Sequence, residues 1–200
     1  LNEKGQMLRE EVASQDDAKV DLVRFYADGA KIREEQDRDT DGTPEMIIYF
    51  EGETAVRREA DTNADGKTDT TVYLKNGKKL RQEEDRNADG AVDASYRFDA
   101  QERLLEEKVD ADFDGKFESL AAYDAGVLAS RSLATGENSI PERKELYSEG
   151  KLSQVEVDED RNQRPERWNF YDTKGNLIRQ EMDADQDGRR DAWIELDAKS

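Results

Sequence analysis

Apolar and polar positions along this chain recur in a fixed order. Segments of five to nine residues that alternate apolar and polar side chains are separated by two breakers, an acidic loop and a short polar turn, usually with Gly. Alternation with a period of two marks strands, and segments this short between breakers make poor helices. The segment after each acidic loop ends in a large side chain, at Tyr26, Phe50, Leu74, Phe98, Tyr123, Tyr147, Tyr171 and Leu196. A second segment, after the turn, sets Leu8, Ile32, Val56, Leu80, Leu105 and Ile178 at one shared repeat position. On the opposite parity stand Arg9, Arg33, Arg57, Arg81 and Arg179, each followed two residues on by Glu11, Glu35, Glu59, Glu83 and Glu181. Side chains two apart on a strand share a face, so the pattern predicts an apolar face and a face of Arg/Glu ladders pairing across strands.

The acidic loops set the period. Full copies of D-x-D/N-x-D-G-x-x-D/E begin at Asp37, Asp61, Asp85, Asp110 and Asp183, and a sixth at Asp158 has Gln163 where Gly is expected. Eroded copies begin at Ala13 and Ala134, so the starts step by 24 or 25 residues over eight units. Loop, strand, turn, strand, repeated, predicts an all-β chain of about eight hairpins forming an elongated antiparallel meander. Residues 1–200 are read as a single repeat domain. Two strands per unit advance roughly 10 Å, so an uncurled strip would run on the order of 75 Å. Twist leaves a closed barrel or a helical stack open, because repeat length fixes the hairpin and not the curvature. Leu1 and Ser200 both fall inside repeats, which suggests a piece of a longer array.

Composition narrows the chemistry. Leu, Ile, Val and Phe make up 18% of the 200 residues while 40% are charged, a balance typical of disorder unless a repeat supplies neighbour-to-neighbour pairing. No apolar run approaches the roughly 20 residues that cross a bilayer, so no membrane insertion is expected. Without His or Cys, thiol and imidazole chemistry, disulfides and the usual zinc sites are excluded, and any metal must be held by oxygen. The net charge of −19 disfavours nucleic acid and points to cations.

A hard dication such as Ca²⁺ takes six to eight oxygens at about 2.4 Å from carboxylates, amide and main-chain carbonyls and water. Alternating acids at positions 1, 3 and 5 turn three oxygens to one centre, Gly at 6 permits the bend, position 7 offers its carbonyl, and position 9 a further acid. The ligands would then be Asp37, Asp39, Asp41, Thr43 and Glu45; Asp61, Asn63, Asp65, Lys67 and Asp69; and Asp85, Asn87, Asp89, Ala91 and Asp93. The same roles fall on Asp110, Asp112, Asp114, Lys116 and Glu118; on Asp158, Asp160, Asn162, Arg164 and Glu166; and on Asp183, Asp185, Asp187, Arg189 and Asp191. The Ala13 and Ala134 copies lack the first acid and read as metal-free turns. Five divalent ions would bring the formal charge from −19 to −9, and six to −7. Mg²⁺ fits less well because it holds its waters in a tight octahedron. Asp, Asn and Gly also build metal-free turns, but five full copies in one phase weigh against that.

These are not EF-hands, since position 12 holds Ile48, Val72, Tyr96, Ala121, Asn169 and Ile194 rather than a bidentate Glu. The nine-residue loop resembles the calcium loops of FG-GAP β-propeller hairpins and of thrombospondin repeats. The stretches from Tyr147 to Leu152 and from Tyr171 to Leu177 resemble the MORN-variant and YD-type hairpin repeats of bacterial surface proteins. The Trp and His positions of the MORN consensus have no counterpart here.

The reading is a calcium-binding structural or adhesive module, extracellular, cell-surface or periplasmic, without catalysis. Its expected partners besides calcium are another surface protein or a polysaccharide, with end-to-end or strand-edge association open to it. The alternative is a carbohydrate- or protein-binding module using aromatics, with Trp168, Phe170, Tyr171 and Trp193 clustered near the C-terminal end. Catalysis by paired carboxylates would need a residue set that breaks the repeat, and none is seen.

Overall fold

The computed structural model describes residues 5–13, 19–135 and 140–196. The Ala13 and Ala134 loops lie partly outside the described residues. The chain divides into two compact units, Leu1–Glu102 and Arg103–Ser200. The first holds β1 (Arg9–Val12), β2 (Leu22–Ala27), β3 (Ala30–Gln36), β4 (Met46–Glu51), β5 (Thr54–Ala60), β6 (Thr70–Lys75), β7 (Lys78–Glu84) and β8 (Ala94–Phe98). The second holds β9 (Leu104–Val109), β10 (Ser119–Asp124), β11 (Val127–Leu133), β12 (Arg143–Ser148), β13 (Lys151–Val157), β14 (Arg167–Tyr171), β15 (Leu177–Met182) and β16 (Ala192–Glu195).

Within each unit every strand pairs antiparallel with its sequence neighbour, giving the expected all-β meander of hairpins. Inside a repeat the hairpin closes tightly. Asp28-Gly29 and Asn76-Gly77 place both residues at positive φ, the type I′ pattern whose twist matches that of the strands. The acidic loops make the opposite connections, so they gather along one end of the hairpins.

Each hairpin carries a register shift where the sequence places its large residue: Phe25/Tyr26, Tyr49/Phe50, Tyr73/Leu74, Ala122/Tyr123, Leu146/Tyr147 and Phe170/Tyr171. The extra residue falls at Ile32, Val56, Leu80 or Ile178, which therefore has no partner across its own hairpin. The expected apolar face is corrected accordingly: Ile32 and Leu80 are both 44% exposed. The aromatics instead share a face with the arginines. In the first unit Arg9, Phe25, Arg33, Tyr49, Arg57, Tyr73 and Arg81 lie in one cross-strand row. Arg33 stacks on Phe25 at 4.1 Å, Arg57 on Tyr49 at 4.0 Å and Arg81 on Tyr73 at 4.4 Å.

The ladders also differ from expectation. Arg33 pairs with Glu35, Arg57 with Glu59 and Arg81 with Glu83 at 2.8–3.1 Å along the same strand, because the cross-strand place beside each arginine is taken by an aromatic. The apolar core is thin. Among the described residues Ala94, Ala121, Ala134, Val155 and Trp168 are the buried hydrophobic ones, and they are joined by loop acids. Both parities of most strands are half-buried, so each side chain is covered by its neighbours in the sheet.

Candidate metal centres

Each acidic loop folds by turning its own carboxylates onto its own main-chain amides. The sixth residue donates its N–H to the first carboxylate: Gly42 to Asp37, Gly66 to Asp61, Gly90 to Asp85, Gly115 to Asp110, Gln163 to Asp158 and Gly188 to Asp183, at 2.7–2.9 Å. The seventh residue, whether Thr43, Lys67, Ala91, Lys116, Arg164 or Arg189, donates its N–H to the fifth side chain. The second residue donates to the ninth acid, as from Arg38 to Glu45 at 2.6 Å and Ala111 to Glu118 at 2.7 Å. The chain thus wraps inward around its own acids. Asp89 shows the electrostatic result: the Ala91 N–H, with help from the Asn87 amide, holds its carboxyl below the usual range.

The wrap requires left-handed backbone at two positions. The sixth is the expected Gly. The fourth is occupied by Thr40, Ala64, Ala88, Phe113, Arg161 and Gln186, all at φ 58–62°. Nothing in those six side chains marks the position, so sequence reasoning misses it.

Among the described residues, four groups bring carboxylate oxygens within 4.8 Å of one another: Asp37, Asp39, Asp41 and Glu45; Asp110, Asp112, Asp114 and Glu118; Asp158, Asp160 and Glu166; Asp183, Asp185 and Asp191. These groups could hold a metal ion. The Asp183 group does not include Asp187. The Asp61 and Asp85 loops form no such carboxylate group among the described residues, since Asn63 and Asn87 stand at the third position. Those amides turn their nitrogen toward Asp65 Oδ2 at 3.4 Å and Asp89 Oδ2 at 2.9 Å, and keep Oδ1 on the fifth-residue N–H.

The donors fit a hard cation on a second count. Asp93 and Asp110 are each 1% exposed, and Asp61, Asp158 and Asp183 are also buried, which acids seldom are without a partner charge. Among the described residues, five buried carboxylate oxygens accept no hydrogen bond: Oδ1 of Asp37, Asp69, Asp85 and Asp93, and Oε1 of Glu166. All belong to first or ninth loop positions. A cation would supply what the protein leaves out there.

The Ala134 loop shows the contrast. There the ninth-position acid, Glu142, meets the guanidinium of Arg161, whose Nε lies 3.6 Å from its carboxylate and which also bonds Thr135. Burial pushes the Glu142 carboxyl up, but the hydrogen bonds from Thr135 and the Arg161 charge outweigh it and the net shift is downward. An arginine of the chain itself stands at this loop's acid.

The aromatics near the C-terminal end differ in exposure. Trp168 is 8% exposed and carries Arg190 on its ring at 4.4 Å, while Trp193 on β16 is 63% exposed. No helix long and apolar enough to cross a membrane occurs among the described residues.

No protein-family model and no curated protein matches the chain. Among solved structures, a chain in the crystal structure of accessory secretory protein 1, 2 and 3 in Streptococcus pneumoniae is similar to it at 24% identity, with a TM-score of 0.35. The similarity covers 44% of this chain and 17% of that one.

Proposed function

We propose that the chain is a calcium-binding structural repeat module, an ion-stiffened spacer or interaction platform for a calcium-rich compartment outside the cell. The observation that carries this reading is the set of buried, unpartnered carboxylate oxygens at first and ninth positions of the Asp37, Asp61, Asp85 and Asp158 loops. Ca²⁺ suits a pocket of mixed carboxylate, amide and carbonyl oxygens better than Mg²⁺, which dehydrates reluctantly. In the metal-free chain three or four carboxylates crowd the Asp37, Asp110, Asp158 and Asp183 loops, and the thin core offers little burial to offset their repulsion. Ion binding is then part of folding free energy. Sites of the extracellular grade, with dissociation constants of roughly 10⁻⁴ to 10⁻³ M, fill only where Ca²⁺ is abundant. The role is non-catalytic, since every acid cluster recurs in phase and is used by its own loop.

Calorimetric titration of the chelator-treated chain tests this. About five or six Ca²⁺ should bind per chain with Mg²⁺ giving little heat. A flat Ca²⁺ titration of folded protein would refute it.

A further inference from the structure

We infer that neighbouring calcium loops are coupled through the hydrogen-bonded main chain between them, so that an ion in one loop raises the affinity of the next; this rests on the calcium reading above. The connection recurs at every described junction within a unit. In the first unit Asp37 N–H donates to the Asp21 carbonyl at 2.9 Å, Asp61 to Glu45 at 3.0 Å and Asp85 to Asp69 at 2.8 Å. In the second, Asp158 donates to Glu142 at 2.8 Å and Asp183 to Glu166 at 2.9 Å. In each pair the acceptor is the ninth residue of one loop and the donor is the first residue of the following loop.

Asp69 shows how the link would work. Its carboxylate accepts the Thr62 N–H at 2.8 Å and leaves Oδ1 buried and free for an ion. Its N–H closes its own loop on the Ala60 carbonyl at 3.0 Å, and its carbonyl receives Asp85, the first ligand of the next loop. Asp85 in turn has a buried, unpartnered Oδ1, and the loop it opens ends at Asp93, 1% exposed and likewise unpartnered at Oδ1. A second tie runs alongside: Lys67, whose carbonyl is a seventh-position ligand, reaches the Ala88 carbonyl of the next loop with Nζ at 2.9 Å. An ion that orders Asp69 therefore orders the residue that opens the next site, and the second ion meets a smaller ordering cost.

Repulsion between ions acts the other way. Loops two strands apart lie about 10 Å from each other, close to the Debye length of about 8 Å at 0.15 M salt, so the like-charge term is substantially screened at that ionic strength. The linkage gives an ordered expectation. The loops at Asp37, Asp61 and Asp85 form a coupled triplet, those at Asp158 and Asp183 a pair. In the second unit the Ala134 loop, which lacks a first carboxylate, interrupts the series after Asp110.

Site-resolved NMR of the full chain at 0.15 M salt tests this, using the amides of Gly42, Gly66, Gly90 and Gly188, each bonded to its loop's first carboxylate. Asn63→Ala removes one ligand of the middle loop without changing the charge of the chain, and loss of the middle ion's positive charge would by itself lower the neighbours' midpoints, so a rise there is not electrostatic. The Ca²⁺ midpoints of Gly42 and Gly90 should rise about fivefold or more while Gly188 keeps its own. Unchanged midpoints at Gly42 and Gly90, with Gly66 weakened, would overturn the coupling and leave independent calcium sites. If no glycine of the unsubstituted chain responds to Ca²⁺, the calcium reading itself fails and the coupling with it. Should Asn63→Ala unfold, Asn63→Ser gives the same comparison.

Discussion

Gln163 donates its main-chain N–H to Asp158 Oδ2 at 2.7 Å while held at φ 70°, the conformation that Gly adopts at the same place in five other loops. A side chain with a Cβ is strained there, and the bond to Asp158 holds it in place. Gln163→Gly should therefore stabilise the chain by about 0.5–1 kcal/mol, the difference between left-handed strain and the extra chain entropy of Gly. Urea unfolding measures this, and an unchanged or lower midpoint would count against it.

Asp93 should respond with opposite signs in the two metal states. Its Oδ2 accepts the Arg86 N–H at 2.6 Å and the Asn87 N–H at 3.2 Å, while Oδ1 is buried without a partner. Asp93→Asn keeps an oxygen for those amides and removes a buried charge. In chelator the variant should be at least as stable as the parent, and in Ca²⁺ less stable by about 1–3 kcal/mol. Thermal melts of both proteins in both conditions give the comparison; parallel shifts in the two would contradict the assignment of Oδ1 to an ion.

How much of this was legible in sequence depends on whether a side chain marks the feature. The strands, the hairpins and the acidic loops were, because Asp, Asn and Gly recur at fixed spacing and the strand segments alternate between them. The left-handed fourth position was not, since Thr40, Ala64, Ala88 and Phe113 share no chemistry. The exposure of Ile32 and Leu80 was hidden too, because no residue type marks the bulge that places them. Arg33 and Glu35 were read as a cross-strand ladder, whereas Phe25 and Tyr49 hold the cross-strand places beside Arg33.

The arginine row should supply a part of stability that salt does not remove. Arg57 stacks on Tyr49 at 4.0 Å and pairs with Glu59 at 3.1 Å. Arg57→Ala should cost about 1 kcal/mol, mostly from the stack, because a half-exposed ion pair contributes a few tenths. Urea melts at 0.1 and 1 M NaCl separate the two contributions. A difference that vanishes at high salt would assign the effect to the ion pair.

Tyr123 predicts the alkaline limit of the second unit. Burial, together with the 2.8 Å hydrogen bond it donates to Glu107, pushes its hydroxyl up to about 12. The folded chain then keeps this proton through a range in which the unfolded chain, titrating near 10, has lost it. The contribution to stability is complete below pH of about 10 and is lost as pH rises toward 12. Tyr123→Phe should flatten that part of the stability profile, and the tyrosinate absorbance of the parent should show one group titrating well above the ordinary range.

The central claim, that these loops are ion sites on which the fold depends, is tested most directly by far-UV circular dichroism and thermal melting of the chelated chain during a Ca²⁺ titration, with Mg²⁺ as control. The account predicts that β signal and melting temperature rise together with Ca²⁺ and respond little to Mg²⁺. A well-folded chelated chain whose melting temperature ignores Ca²⁺ would contradict it, and would leave a hairpin scaffold whose acidic turns hold themselves together without an ion.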